Sequence, residues 1–153
     1  MAKKQPTRSK SIQNRRARFD YELGDSLVVG ISLNGRETKA LRMGHGQLRG
    51  AYVTVKGSEL LLINATISGS SGIPIAEDEQ TRARKLLAKR REINALIGAK
   101  EQGRTIVPLE MLTGGRYIKL KIALGKGKKR WDKRQTLKRR DEQRQINRSL
   151  GHS

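Results

Sequence analysis

The sequence predicts a mainly β domain, a small closed or nearly closed β-barrel with short flanking helices and a basic C-terminal tail. Three observations predict it: several short segments alternate apolar and polar residues, glycine-containing turns separate them, and most of the net positive charge lies near the two chain ends. Alternation with period two is typical of strands that bury one face, and about five or six such strands can close a small barrel. The 153 residues suffice for one domain with an ordinary core.

The strands follow from this alternation in chain order. In the clearest of them, Tyr117–Leu124, the even-numbered positions are apolar and two of the odd ones are lysine. Glycine pairs or Gly-Ser pairs between two alternating segments predict hairpins. The predicted strands are a weak one at 19–23, Leu27–Leu33 ending at Asn34-Gly35, the hairpin Ala51–Val55 and Leu60–Ile67 around Gly57-Ser58, and the hairpin Ile106–Leu112 and Tyr117–Leu124 around Gly114-Gly115.

Two helices are predicted between the strands. Apolar residues at helical spacing predict a helix across 83–97, with Asp78 as its cap and Gly98 as its stop. A shorter helix is predicted over Arg36–Met43, where Gly44 would end it.

Two further segments are expected to lack regular structure. Gly69–Gln80 contains SGSSG followed by AEDE, a composition typical of a loop. The tail after Lys133 is rich in helix formers, but Leu137, Ile146 and Leu150 do not share one helix face. Such a tail cannot bury enough apolar surface to order itself, so we expect it to be disordered until a polyanion binds and helical afterwards.

The charge predicts a polyanionic partner. The chain carries a formal net charge of +20, of which residues 1–20 carry +6 and residues 125–153 carry +8. Nucleic acid is the commonest partner of such a protein. A membrane is not expected, because no stretch approaches the roughly 18–20 apolar residues of a spanning helix. Only five residues are aromatic, which favours a reader of RNA shape and phosphates over a protein that stacks base after base.

Catalytic residues are scarce. His45 lies in a Gly-His-Gly turn, His152 is next to the end, and 77–79 is the only acidic cluster. Neither histidine has a second histidine or a carboxylate near it in sequence with which to form a site, and the chain has no cysteine. We therefore predict a binding protein without enzymatic activity, cofactor or metal. A structural ribosomal protein remains an alternative, whereas a small RNA-modifying enzyme would need acid–base or cofactor residues that are missing.

Five segments resemble one family when they are taken in order. They are QNRRARFDY (13–21), GRETKALRMGHGQLRGAYV (35–53), RARKLLAKRREIN (82–94), GRTIVPLEM (103–111) and KGKKRWDKRQTLKRRD (126–141). Together they resemble the SsrA-binding protein family (small protein B), the partner of transfer-messenger RNA in bacterial ribosome rescue.

This resemblance implies a barrel of the oligonucleotide-binding type and binding to the tRNA-like domain of transfer-messenger RNA. It also implies a cytoplasmic monomer that enters stalled ribosomes with elongation factor Tu, with the C-terminal tail in the empty mRNA path near the decoding centre. The implied organisation is a basic arm at 1–13, an RNA-binding barrel at 14–131 and a basic tail at 132–153.

The resemblance also assigns roles to residues. The expected contacts with transfer-messenger RNA are Asn14, Arg15, Arg16, Glu37, Lys39, Arg42, Leu87, Lys126, Gly127, Lys128 and Lys129. The expected contacts with the decoding centre on the small ribosomal subunit are Trp131, Asp132, Lys133, Arg134, Lys138, Arg139 and Arg140. Trp131, the only tryptophan, lies between the two sets, and we expect it to stack on an rRNA base in the A site.

Overall fold

The computed structural model of the chain describes residues 11–128 and 137–145, and most of its elements are strands. The strands are β1 (Ser11–Gln13), β2 (Tyr21–Ile31), β3 (Gly46–Gln47), β4 (Tyr52–Lys56), β5 (Glu59–Ile63), β6 (Thr66–Ile67), β7 (Arg84–Leu87), β8 (Thr105–Leu112) and β9 (Lys119–Gly127). The helices are α1 (Ala17–Asp20), α2 (Gly35–Arg42), α3 (Arg90–Glu101) and a helix at 137–145, here called α4. The predicted mainly β class is confirmed.

Six strands form a closed ring of hydrogen-bonded antiparallel pairs. Neighbours follow the order β8, β4, β5, β7, β2 and β9, and β9 pairs again with β8. β1 pairs with the C-terminal part of β8, while β3 and β6 form a separate two-stranded sheet. Each of the six strands has a partner on both sides, so the ring leaves no strand as a free sheet edge.

The core lies inside this ring and continues beneath α2. Leu60 and Leu62 of β5, Leu120 and Ile122 of β9, and Leu41 of α2 are all fully buried. The strand residues among them are two positions apart, as the period of a half-buried strand requires. Burial of these alternating side chains therefore sets which face of each strand points inward.

Both predicted hairpins are present, but the strand predicted over Leu60–Ile67 is divided: β5 ends at Ile63, and Thr66–Ile67 forms β6, which pairs with β3. β4 and β5 pair from Tyr52↔Ile63 to Lys56↔Glu59, and Gly57 in their turn has a positive φ of 65°. β8 and β9 pair from Thr105↔Gly125 to Leu112↔Lys119. The short helix and its stop are confirmed too: α2 ends at Arg42, and Gly44 has a φ of 84°, a backbone conformation that favours glycine.

The two strands predicted at 19–23 and Leu27–Leu33 are one strand, β2, which begins at Tyr21. Its pairing with β9 shifts register between Leu23 and Ser26. A bulge of this kind interrupts the two-residue period and bends the strand. The interruption explains why the alternation looked weak before Leu27.

The predicted helix across 83–97 is wrong in its first part. Residues Arg84–Leu87 form β7, in which Arg84 and Leu86 are buried and the two residues between and after them are exposed. α3 begins only at Arg90, where the backbone N–H of Lys89 donates to the Glu92 carboxylate at 2.9 Å. The alternation of β7 was not recognised because one of its two buried residues is an arginine, a residue type that is expected on the exposed face of a strand.

The predicted ends of that helix are wrong as well. Asp78 lies in a separate single turn of 3-10 helix, Glu77–Glu79, and so caps nothing in α3. Gly98 lies inside α3, which continues to Glu101 and is followed by Gly103 with a φ of 86°. Of the two glycines near the end of α3, Gly103 and not Gly98 therefore has the positive φ that is typical of a helix end.

The C-terminal tail contains a helix, which differs from the expected disorder after Lys133. α4 spans 137–145, and every residue in it is exposed. Its one ion pair within the described residues joins Arg144 to Asp141 at 4.0 Å. Strong helix formers account for the helix, although it buries almost no apolar surface. Residues 133–136 and 146–153 of the expected disordered segment lie outside the described residues.

Candidate nucleic-acid interface

Segments from opposite ends of the chain meet at α1 and the end of β9. β2 follows α1 directly and pairs with β9, so that Tyr21 lies opposite Gly127. The backbone N–H of Lys128 donates to the carbonyl of Asp20 at 3.0 Å, and its Nζ donates to the carbonyl of Arg18 at 2.8 Å. Residues more than a hundred positions apart in sequence therefore share one surface.

Asn14 anchors the start of this surface. Its backbone N–H donates to the carbonyl of Leu109 and its Nδ2 to the carbonyl of Pro108, both at 2.8 Å. β8 shifts register against β9 between Pro108 and Glu110, and bulges are among the few places where a strand accommodates a proline, which supplies no N–H. Asn14 thus fixes the turn before α1 against the irregular part of β8.

The arginines after Asn14 face solvent. Arg15 and Arg16 are exposed, and the Arg16 guanidinium lies 5.0 Å from the centroid of the Phe19 ring. Its Nε is 3.7 Å from the Asp20 carboxylate. Cations held at a surface by ring and carboxylate contacts keep donors for phosphate oxygens. With exposed Lys126 on β9, these side chains form the cationic face, defined as Asn14, Arg15, Arg16, Arg18, Lys126, Gly127 and Lys128.

A groove extends the cationic face. Its volume is about 670 Å³, and its lining includes Arg15, Arg16 and Arg49 together with Leu137 and Arg140 of α4. Arg140 is one of the residues expected at the decoding centre, and Arg49 was not predicted as a site residue. Four cations around one groove attract a polyanion.

Glu37 does not fit a direct contact with RNA. Its side chain is only 1% exposed, and the 0% exposed Arg84 donates to its Oε2 at 2.7 Å. Arg82 donates to the same oxygen at 3.1 Å and also to Oε1. The backbone N–H of Asn34 donates to Oε1 at 3.1 Å, while Asn34 Oδ1 accepts from the Glu37 N–H at 2.8 Å. Glu37 therefore joins the start of α2 to β7 inside the protein.

Burial and pairing act in opposite directions on this cluster. Burial raises the pKa of Glu37, but hydrogen bonds from Arg82, the Asn34 backbone and Arg84 outweigh it, so the pKa lies below its ordinary value. Burial lowers the pKa of Arg84, and its contacts with Glu37 counter only part of that effect. Arg84 was not predicted as a site residue, and its only signal in the sequence was its position two residues before Leu86, on the same face of a short strand.

Arg42 and Lys39 occupy different positions on α2. The guanidinium of Arg42 donates to the carbonyls of Thr113, Gly115 and Arg116 at 3.2, 3.0 and 2.8 Å, which fixes the turn between β8 and β9. Lys39 is exposed. Only Lys39 thus has a side chain directed to solvent, and its contact with RNA stays a prediction.

Leu87 lies apart from the cationic face. It belongs to β7 and not to a helix, is 54% exposed, and pairs with Gly30 near the end of β2. Tyr21, at the start of the same strand, pairs beside the cationic face. The structure therefore does not bring Leu87 together with Arg15, Arg16 and Lys126.

Several predicted site residues lie outside the described ranges. They are Lys129, Trp131, Asp132, Lys133 and Arg134. Lys138, Arg139 and Arg140 are described, and all three are exposed on α4. Within 11–128 and 137–145, no group of three or more histidine, cysteine or acidic side chains is placed to hold a metal ion. In the same ranges, no helix has the length and apolar character needed to cross a bilayer.

The fold and this surface define a class, the small basic β proteins that present cations from both chain ends on one face. Comparison with known proteins is more specific. A model of the SmpB protein family matches residues 11–152. The chain belongs to this family.

Individual relatives agree over most of the chain. An SsrA-binding protein of Gloeobacter violaceus is 39% identical over 145 residues, which cover 94% of this chain and 95% of the relative. An SsrA-binding protein of Trichormus variabilis is 46% identical over 140 residues, 90% of each chain. A solved structure described as "tmRNA-SmpB: a journey to the center of the bacterial ribosome" matches with a TM-score of 0.65 and 37% identity, covering 78% of this chain and 85% of its own.

Proposed function

We propose that the protein binds the tRNA-like domain of transfer-messenger RNA and delivers it to stalled ribosomes for trans-translation. The observation that carries this proposal is the cationic face, where Asn14–Arg18 and Lys126–Lys128 meet through the pairing of β2 with β9. Phosphates supply most of the affinity of a protein for structured RNA. The names of the relatives, which are SsrA-binding proteins, support transfer-messenger RNA as the RNA concerned.

In this proposal the ring of six strands is a barrel of the oligonucleotide-binding type, and it belongs to an RNA-binding domain at residues 14–131. Such barrels bind nucleic acid through strand faces and connecting loops. The basic arm at 1–13 precedes Asn14 in the sequence and adds four lysines and arginines. The proposed protein is a cytoplasmic monomer without cofactor or catalytic activity, which reaches the ribosome with elongation factor Tu through the RNA.

The tail at 132–153 has a separate task in this proposal. It occupies the empty mRNA path next to the decoding centre, where Asp132, Lys133, Arg134 and the exposed Lys138, Arg139 and Arg140 contact small-subunit rRNA. The helix at 137–145 carries four exposed cations, Lys138, Arg139, Arg140 and Arg144, which suits a path whose walls are RNA.

The function is tested by sequencing the RNA that co-purifies with the full-length protein from bacterial cells. We expect one free RNA, transfer-messenger RNA, and we expect unlabelled transfer RNA to compete with it only weakly. Permanent association with one ribosomal subunit at high salt, without a free RNA, would instead identify a structural ribosomal protein.

Trp131 tests the role of the tail. Lysine and arginine hold phosphates without distinguishing one RNA surface from another, whereas an indole ring can stack on one exposed base for about 1–3 kcal/mol. Trp131→Ala should leave the affinity for transfer-messenger RNA within a few-fold and strongly reduce peptidyl transfer to it on stalled ribosomes. Loss of RNA binding in solution, or unfolding of the domain, would contradict this assignment.

A further inference from the structure

A second groove lies between α1 and the C-terminal end of α3. Its volume is about 480 Å³, within the range of small-ligand sites, about 300–1,000 Å³. The outer face of β4 and the first residues of β8 line it, together with Arg16 and Asp20 of the α1 segment and Lys100 and Arg104 around the end of α3. The groove is therefore open to solvent between two walls that both carry cations.

Two of the five aromatic residues of the chain line this groove. Val53 of β4 is buried in the core, so the neighbouring Tyr52 points to the opposite face, where its side chain is 46% exposed. Tyr21 is less exposed, and its Cβ lies close to the backbone of the buried Gly125. Tyr52 thus contributes a large, accessible ring that the core does not use.

The polar groups around the ring suit a nucleotide better than a phosphate alone. Lys100 Nζ lies 3.4 Å from the Thr54 hydroxyl, which places its charge over β4 beside Tyr52. Arg104 is exposed in the segment that leads into β8. The Asp20 carboxylate, which lies 3.7 Å from the Arg16 Nε, adds one negative charge to the α1 side of the groove. Cations that can hold a phosphate therefore flank one exposed aromatic ring on which a base can stack.

We propose that this groove binds one unpaired nucleotide of the RNA, with its base stacked on Tyr52 and its phosphate held by Lys100 and Arg104. The inference rests on the proposed function and adds a base-contacting site to the phosphate-contacting cationic face. Neighbouring bases cover both faces of a paired base, so the nucleotide comes from a loop or bulge and not from a stem. Arg16 belongs to both surfaces and makes them continuous.

Affinity measurements on full-length protein with transfer-messenger RNA test the stacking. Tyr52→Ala should weaken binding about tenfold, within the effect of losing one base–aromatic stack, and Tyr52→Phe should recover most of that loss. The matched control is Tyr117→Ala, because Tyr117 is 69% exposed and does not line the groove. It should bind within twofold of the parent.

Several results would overturn the inference. They are unchanged affinity in Tyr52→Ala, equal losses in Tyr52→Phe and Tyr52→Ala, or an equal loss in Tyr117→Ala. Thermal unfolding of each variant separates loss of binding from loss of folding. If the parent protein prefers another RNA to transfer-messenger RNA, the proposed function is wrong. If the parent binds transfer-messenger RNA tightly and Tyr52→Ala binds it equally well, only the proposed nucleotide site is wrong.

Cross-linking locates the nucleotide. A photoreactive phenylalanine analogue at position 52 should attach to a single unpaired nucleotide of transfer-messenger RNA, read as one stop of reverse transcription. Cross-links spread along a stem, or none above those from the analogue at position 117, would show that no base occupies the groove.

Discussion

Glu37 shows how one buried carboxylate holds two elements together at the residue scale. Removing its charge leaves the fully buried Arg84 without its ionic partner, and breaking a buried pair in this way costs about 3–5 kcal/mol. We expect Glu37→Gln to lower the free energy of unfolding by that order, measured by urea denaturation. Glu59→Gln is the control, because its pair with Lys85 is half exposed and should contribute under about 1 kcal/mol. Equal losses in the two variants would contradict the role of burial.

The same carboxylate gives stability a defined pH dependence. The pKa of Glu37 lies below the ordinary 4.5, so the unfolded chain binds the proton at a higher pH than the folded protein does. Its contribution to the free energy of unfolding is therefore complete above 4.5 and is lost as the pH falls through the lowered pKa. Urea denaturation between about pH 6 and pH 3 should show a steeper decline for the parent than for Glu37→Gln. Parallel curves would show that Glu37 is not the group responsible.

Residue types were easier to predict than residue roles. The segment GRETKALR was identified as a functional segment, but burial turns Glu37 inward and hydrogen bonds tie Arg42 to the turn before β9. Nothing local in a sequence distinguishes a carboxylate that meets RNA from one that meets Arg84, 47 positions away. By contrast, Arg15 and Arg16 have no such partners inside the core, and both are exposed as predicted.

At the scale of the element, the described part of α4 covers nine residues, all of them exposed, so packing contributes little to its stability. Isolated helices shorter than about 12–15 residues are marginal in water, and the pair Asp141–Arg144 contributes only about 0.2–0.5 kcal/mol. Glu142→Pro should therefore abolish the helix and reduce peptidyl transfer on stalled ribosomes about tenfold or more, since a proline in a helix interior costs about 3 kcal/mol. Glu142→Ala, which keeps the helix, should not.

Circular dichroism measures whether each variant keeps the helix, and RNA affinity shows whether each still binds transfer-messenger RNA. Both variants should bind transfer-messenger RNA within a few-fold of the parent, because every residue of the cationic face lies outside α4. If Glu142→Pro supports peptidyl transfer on stalled ribosomes as well as the parent does, the tail acts through its charge alone, without a helix.

Elements with a strong period were predictable, and those with a mixed period were not. The segment Tyr117–Leu124 alternates over eight positions and was predicted as a strand, and most of it lies in β9, which begins at Lys119 and ends at Gly127. In contrast, β7 has only four residues, one of them the buried Arg84. β2 lost its alternation where a bulge shifts the register after Leu23. Both errors arise because the local pattern depends on tertiary partners that lie far away in sequence.

For the whole molecule, the two basic chain ends predicted a common partner but not their meeting point. In the sequence, much of the positive charge lies before residue 20 and after residue 125. The register that sets Tyr21 opposite Gly127 depends on the closure of the ring through β8 and β9. Closure is a property of all six strands, so no single segment encodes it.

Salt dependence tests whether the two ends act as one surface. If the five cations of the cationic face and Arg49 in the adjoining groove neutralise roughly six phosphates, affinity for transfer-messenger RNA should fall about a thousandfold between 50 and 200 mM salt. Arg15→Ala and Lys126→Ala each remove one exposed cation, one from each segment. Each should reduce the slope of log affinity against log salt by about 1, and the double variant by about 2.

The control for these variants is Arg91→Ala. Arg91 is exposed in the first turn of α3, where loss of a positive charge favours the helix, so the variant should fold and keep the parent slope. A double variant whose slope falls no further than that of a single variant would show that only one segment contacts the RNA. An unchanged slope in all of them would place the phosphate contacts elsewhere on the molecule, because a contact that releases no counterion leaves no salt dependence.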